Sequence, residues 1–292
     1  MASLKEIRNR IVSVRSTQKI TSAMKMVSAA KLRRAQNTII KFRPYAKNIS
    51  TILSHVLPAE HRENNNPLEE IREAERVVFV VITSNKGLCG SFNNSVLKQS
   101  EALLTSTYQH QHKQKNVQFI CIGKKGKEYI QKKHYPIMDS YTELLDNCSF
   151  DKVASIAEDL MQQFTAKKID RVEVFYSKFK SAGSQLVTTQ QYLPIVFEET
   201  KKESSKIEYL FEPQKDILYQ QMIPQLTKMK LYQYILESLA SEHGARMMSM
   251  HKATENANEL IKDLNLSYNK MRQASITNAL IEMVSASESL KS

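Results

Sequence analysis

Tryptophan is missing from this chain, and the helix breakers are few: six glycines and seven prolines in 292 residues. Their distribution is uneven. Residues 1–57 contain only Pro44 and residues 225–292 only Gly244, so 11 of the 13 lie within 58–224. Glycine costs a helix interior about 1 kcal/mol and proline about 3, so ends this free of both permit two very long helices. The first 57 residues would reach about 85 Å at about 1.5 Å per residue, against about 40 Å for a compact domain of this size. Helices of that length are expected to leave the globule, which points to a mechanical or spacing role.

Cysteine is also sparse. Cys89, Cys121 and Cys148 are odd in number and widely spaced. They form neither a zinc pattern nor a disulfide framework, which indicates a reducing compartment. No apolar run approaches the roughly 18 residues needed to span a bilayer. The start, MASLKEIRNR, has no apolar signal core. Its Arg-rich, acid-poor character resembles a transit peptide, but the apolar rhythm beginning at Leu4 runs on into the first long helix and assigns it to the mature protein. Acidic residues are lacking over one stretch: residues 1–47 carry twelve Lys/Arg against Glu6 alone, a net +11 within a chain total of +12. Such a field attracts polyanions: nucleic acid, an anionic membrane or an acidic protein surface. Residues 1–41 offer no aromatics to stack on bases, and a membrane-surface helix would want a bulkier apolar face.

What is present is periodic. Leu4, Ile7, Ile11 and Val14 step by 3 and 4, as do Ile39, Phe42, Ala46, Ile49, Leu53 and Val56. That spacing marks a helix packed along another helix. Between the two sets Gln18 and Thr21 stand where apolar residues are expected, and Ala23, Met24, Met26, Val27, Ala29 and Ala30 cluster nearby. The seam resumes in phase after Pro44, which predicts a kink rather than a stop. The last segment carries a matching series: Leu236, Ala240, His243, Met247, Met250, Thr254, Ala257, Ile261, Leu264, Tyr268 and Met271. Its phase breaks after Met271, where a new stripe of Ile276, Leu280 and Met283 begins.

Residues 58–75 read as a polar linker. The middle then alternates strand and helix. Strands are predicted at Arg76–Thr83, Val117–Gly123, Arg171–Ser177 and Gln185–Ile195, with a further edge strand at Ile207–Phe211. Helices are predicted at Asn93–Thr105, Lys124–Lys133 and Phe150–Ala166. This order implies a mainly parallel sheet covered on both faces. The chain is thus expected to divide into a helix over 1–57, a linker over 58–75, an α/β base over 76–212 and a helix over 213–292.

The motif search is nearly empty. Asn85–Ser91 (NKGLCGS) and Gly123–Gly126 (GKKG) resemble phosphate turns but lack the spacing of the nucleotide loops, so structural turns are expected. His110 and His112 lie in a polar loop without a third metal ligand nearby. Glu69–Glu70 and Glu198–Glu199 read as solvated loop charges, and His243 as a packed seam histidine. No cofactor or metal is expected.

The ends carry a family resemblance. Residues 4–36 (LKEIRNRIVSVRSTQKITSAMKMVSAAKLRRAQ) and 241–285 (SEHGARMMSMHKATENANELIKDLNLSYNKMRQASITNALIEMVS) resemble the terminal helices of the rotor-shaft gamma subunit of F-type ATP synthase, bacterial type. SNKGLCGSFN (84–93), FYSKF (175–179) and YLFEP (209–213) agree as well. The resemblance implies an α/β chain: a long antiparallel coiled coil of the N- and C-terminal helices plus a Rossmann-like α/β domain. It implies a non-catalytic shaft inside a ring of three alpha and three beta subunits, coupling proton flow through a membrane c-ring to conformational cycling of the catalytic beta subunits. The epsilon subunit is a further implied partner. Met24, Lys25 and Arg246 match positions facing the beta subunits' acidic lever. Arg272, Gln273 and Thr277 match positions that bond a beta catch loop. Ile276, Leu280 and Met283 would line an apolar sleeve, and Tyr209, Phe211 and Glu212 would meet the c-ring. The regulatory cysteine insertion of chloroplast relatives is not present, so thiol control is not expected. Asn85 replaces the acidic residue that opens the corresponding turn in many relatives. A peripheral location on the cytoplasmic face of the bacterial inner membrane is expected, through the Fo sector and without a transmembrane segment. Two other readings remain open: a coiled-coil nucleic-acid-binding scaffold, and a Rossmann-like enzyme working at the 84–91 loop.

Overall fold

The computed structural model describes residues 3–56, 66–196, 212 and 215–289. Two helices frame the chain, α1 (Leu4–Val56) and α6 (Lys215–Ser289). Between them run a single 3-10 turn (Pro67–Glu69), β1 (Val77–Ile82), α2 (Phe92–Ser106), α3 (Gln109–Lys113), β2 (Val117–Ile122), α4 (Lys124–Lys132), β3 (Ile137–Tyr141), α5 (Phe150–Thr165), β4 (Arg171–Ser181) and β5 (Ser184–Leu193). The scarcity of breakers has its physical consequence: α1 is 53 residues long and α6 is 75. Each continues through a proline, Pro44 in α1 and Pro224 in α6, where the ring removes one backbone donor without ending the helix.

The chain forms two compact units, residues 29–245 and residues 1–28 with 246–292. The larger unit holds a five-stranded sheet of order β3-β2-β1-β4-β5. β1 runs parallel to β2 and β4, β2 runs parallel to β3, and β5 returns antiparallel on β4. Every residue of β1 (VVFVVI) is buried, and its alternation sorts the core. Val77, Phe79 and Val81 pack with Val96, Leu97 and Leu104 of α2 and Ile130 of α4. Val78, Val80 and Ile82 pack with Val153, Leu160 and Phe164 of α5 and with Ile223, Leu231 and Ile235 of α6. A strand covered on both faces carries no polar alternation, which is why it reads as an unbroken apolar run.

Three local expectations change. β3, which the apolar pattern does not mark, forms an edge strand of half-buried IMDSY, held by parallel pairing from Phe119↔Ile137 with a register shift after Phe119. His110 and His112 sit in the five-residue α3 rather than in a loop. Glu69 is no solvated charge: it accepts a hydrogen bond from the Tyr219 hydroxyl, and its neighbour Leu68 is buried in the core. The strand expected at 207–211 and the pair Glu198–Glu199 lie outside the described residues.

In the smaller unit the start of α1 packs on α6. Ile7 and Ile11 bury against Leu264, joined by Val14, Tyr268 and Met271. Further along α1, Thr21 meets Thr254 and Lys25 meets His251. Partners fall in number on α6 as they rise on α1, so the pair is antiparallel. The 3-and-4 step continues unbroken through Leu4, Ile7, Ile11, Val14, Gln18, Thr21, Lys25 and Ser28, all buried or half-buried. The small and Met residues of this stretch do not replace the polar ones in the seam. Ala23, Met26 and Val27 are exposed.

Candidate functional site

The seam of the smaller unit turns polar at its middle. The Thr21 and Thr254 hydroxyls lie 2.8 Å apart, and each also donates to a carbonyl of its own helix in one rotamer, Thr21 to Gln18 and Thr254 to Met250. Buried Ser28 donates to the Met24 carbonyl at 2.7 Å. One turn of α6 before Thr254, the Lys25 ammonium lies 3.2 Å from Nδ1 of His251. Nε2 of the same ring lies 3.4 Å from the Glu255 carboxylate, at the i,i+4 spacing of one helix face. A polar layer of this kind leaves little apolar adhesion but fixes register, because a slip would leave its buried groups unpaired.

Beyond Met271 the described part of the helix is open to solvent. Every described residue from 272 to 286 is exposed, including Ile276 at 52%, Leu280 at 53% and Met283 at 61%. The 4 and 3 steps place these three on one side of the helix. Ile281 and Val284 are equally open and widen the apolar surface. Arg272, Gln273 and Thr277 share this stretch, and the Thr277 hydroxyl donates to the Gln273 carbonyl at 3.0 Å. On α1, Lys5, Arg8, Arg10, Arg15 and Lys19 are exposed, and among the described residues no carboxylate pairs with them.

The other expected positions differ in exposure. Met24 is half-buried beside the polar layer, while Arg246 is buried at 8% exposure. Glu212 is exposed, and Tyr209 and Phe211 lie outside the described residues. One surface escaped the sequence reading. Val12, Ile20 and Val27 are 58–59% exposed on α1, and stepping a helical period from Val12 through Ser16, Ile20, Ala23 and Val27 would have found it.

The glycine-bearing turns are occupied by their own structure. The Ser84 amide donates to Asn93 Oδ1 at 2.9 Å and the Ser84 hydroxyl to the Lys86 carbonyl at 2.7 Å. Asn85 donates to the Thr142 carbonyl at 2.7 Å and accepts from the Lys124 amide at 3.0 Å. The next two amides of α4, Lys125 and Gly126, donate to the Ser84 carbonyl and the Thr83 hydroxyl. A phosphate would need those amides, and the 83–85 segment has taken them. Asn85 thereby ties three loops together without the charge an acidic residue would bring. Among the described residues no group of three or more His, Cys, Asp or Glu is placed to hold a metal, and no helix is long and apolar enough to cross a membrane.

Comparison with known proteins gives a consistent set. The family described as ATP synthase matches residues 3–290. The chain is 46% identical over 293 residues to the ATP synthase gamma chain of Cytophaga hutchinsonii, covering 99% of each. It is 45% identical over 291 residues to that of Flavobacterium psychrophilum, covering 100% of each. Among solved structures, a chain of the Euglena gracilis mitochondrial ATP synthase rotor matches with a TM-score of 0.65 at 18% identity, over 94% of this chain and 98% of that one. A chain of the Tetrahymena thermophila mitochondrial ATP synthase central stalk and c-ring matches with a TM-score of 0.58 at 24% identity, over 80% and 99%. At such identities the likeness is one of fold.

Proposed function

Because this chain belongs to the ATP synthase gamma-chain family, we propose that it is the central rotor shaft of a bacterial F-type ATP synthase, turning with a membrane c-ring and driving the catalytic beta subunits through their states. The observation that carries this reading is full-length identity of 46% to a gamma chain. The site supports it. A helix end with an exposed apolar side over the described residues 272–286 suits a bearing. A basic α1 with exposed, unpaired cations suits acidic protein surfaces, since like-signed fields would repel it.

In this proposal the shaft is non-catalytic. Met24, Lys25, Arg246, Arg272, Gln273, Ile276, Thr277, Leu280 and Met283 face alpha and beta subunits, three of each. Tyr209, Phe211 and Glu212 face the c-ring, and epsilon binds the base. The four-part division at 57, 75 and 212 belongs to the same proposal. So does a peripheral location on the cytoplasmic face of the bacterial inner membrane. The nucleic-acid scaffold is not supported, since the relatives named above are ATP synthase gamma chains. The loop-84 enzyme is disfavoured by the internally satisfied turn.

Co-purification tests the reading. A tagged chain expressed in its own cells should bring down alpha and beta subunits in equal amounts, about three of each per tagged chain. Recovery of the chain without them would sink the proposal.

A further inference from the structure

Lys25 does not stand free beside Met24. Its ammonium lies 3.2 Å across the seam from an imidazole nitrogen, and that contact restricts how the ring can meet it. An ammonium has three donors and no acceptor. Nδ1 of His251, 3.2 Å away, must therefore present its lone pair. The ring proton then sits on Nε2, the nitrogen that lies 3.4 Å from the Glu255 carboxylate. The arrangement sets the His251 ring between the Lys25 ammonium and the Glu255 carboxylate, with the Thr21–Thr254 contact one turn away. The charged groups set against the ring are Lys25 from α1 and Glu255 from α6 itself.

We propose that His251 is the positioning residue for Lys25: accepting from the ammonium through Nδ1, it holds Lys25 against the helix pair and keeps the polar layer in register, so that coupling through this segment of the shaft needs a hydrogen-bond acceptor at position 251. The proposal rests on the rotor reading for its consequence, though not for its geometry. A histidine that merely fills space would be replaced as well by Leu as by Gln, whatever stands at position 25.

The test uses the assembled complex in sealed vesicles, with protons moved per ATP hydrolysed as the readout. His251→Leu removes the acceptor for Lys25 and should lower this ratio at least about threefold, whereas His251→Gln keeps an acceptor and should hold it. Adding Lys25→Gln to His251→Leu removes the cation left without its acceptor and should recover much of the loss. Equal ratios in His251→Leu and His251→Gln would overturn the proposal. A second measurement needs no assembly: nitrogen NMR of the full-length chain should show His251 as the Nε2–H tautomer at about pH 8, and an Nδ1–H tautomer would overturn it. Failure of the wild-type chain to recover alpha and beta subunits would remove the rotor reading while leaving the tautomer result standing.

Discussion

At the scale of single residues, Asp170 shows how one side chain closes a junction. It is 3% exposed, just before β4, and accepts from the Arg76 backbone amide, Nε and guanidinium at 2.9, 3.0 and 2.9 Å. Arg72 stands 3.8 Å away and lies over the Phe164 ring at 4.3 Å. Burial pushes the Asp170 carboxyl up, but the Arg76 hydrogen bonds and the two guanidinium charges outweigh it and hold the group below its ordinary value. A carboxyl depressed on folding stabilises the native state above its unfolded value near 3.9 and loses that contribution as pH falls through the folded one. Asp170→Asn should therefore cost about 1–3 kcal/mol at neutral pH, the low end being favoured because Arg76 is half exposed. Urea unfolding should show the gap between wild type and variant closing as pH falls below 3.9. A gap that stays constant with pH would refute the assignment. The cysteines behave in the opposite sense. Burial pushes the Cys121 and Cys148 thiols up to about 11, so little thiolate exists at neutral pH for redox chemistry.

At the scale of elements, the glycines that looked like phosphate turns are packing devices. Gly123 has φ of 109°, and a Cβ there would stand 2.3 Å from the Thr83 carbonyl oxygen at the end of β1. Gly126 would meet the Thr83 hydroxyl at 2.7 Å, the same hydroxyl that its amide donates to. Gly123→Ala should cost about 2–4 kcal/mol through strain and overpacking together. A urea midpoint within about 0.5 kcal/mol of wild type would show that α4 can shift away. The sequence discloses that a glycine turn follows β2, but not which strand end it must clear. The same limit recurs elsewhere. β1 and β2 are legible because strands buried on both faces are unbroken apolar runs. β3 is not, because IMDSY owes its conformation to pairing with β2 rather than to its own pattern. The α1 seam is legible in phase but not in chemistry. Thr21, Lys25 and Ser28 keep the heptad step while giving up its hydrophobicity, so a search for apolar residues turns toward Met26 and Val27, which face outward. Gly244, the single glycine of the last 68 residues, is explained only by contact. The β4–β5 hairpin lies against it, with the Ala182 carbonyl 3.2 Å and the Phe179 ring 3.6 Å from where a Cβ would be.

At the scale of the whole molecule, charge and cover are distributed independently of the sheet. The +11 of residues 1–47 sits on α1, where Lys5, Arg8, Arg10, Arg15 and Lys19 in the smaller unit and Lys31, Arg33, Arg34, Lys41 and Arg43 in the larger one are exposed. The sheet domain of the larger unit instead pairs its charges, as in Lys125 with Glu128 and Lys133 with Glu101. That division was readable from the sequence, because counting charges needs no fold, whereas the contact of Lys25 with His251 was not, because it requires two helices in register. The uncovered run after Met271 has a thermodynamic corollary. RQASITNALIEMVS mixes good helix formers with Ser, Thr and Asn, which are weak ones, and an unpacked helix of this length is marginal in water. In the isolated chain, backbone amides of 272–286 should exchange with deuterium at least about 100-fold faster than those of 250–264, which lie against α1. Uniform protection along α6 would contradict this. Assembly with the proposed partners should slow exchange at this end alone, so its folding is completed by its neighbours, and deuterium uptake there counts the fraction of chains that have found them.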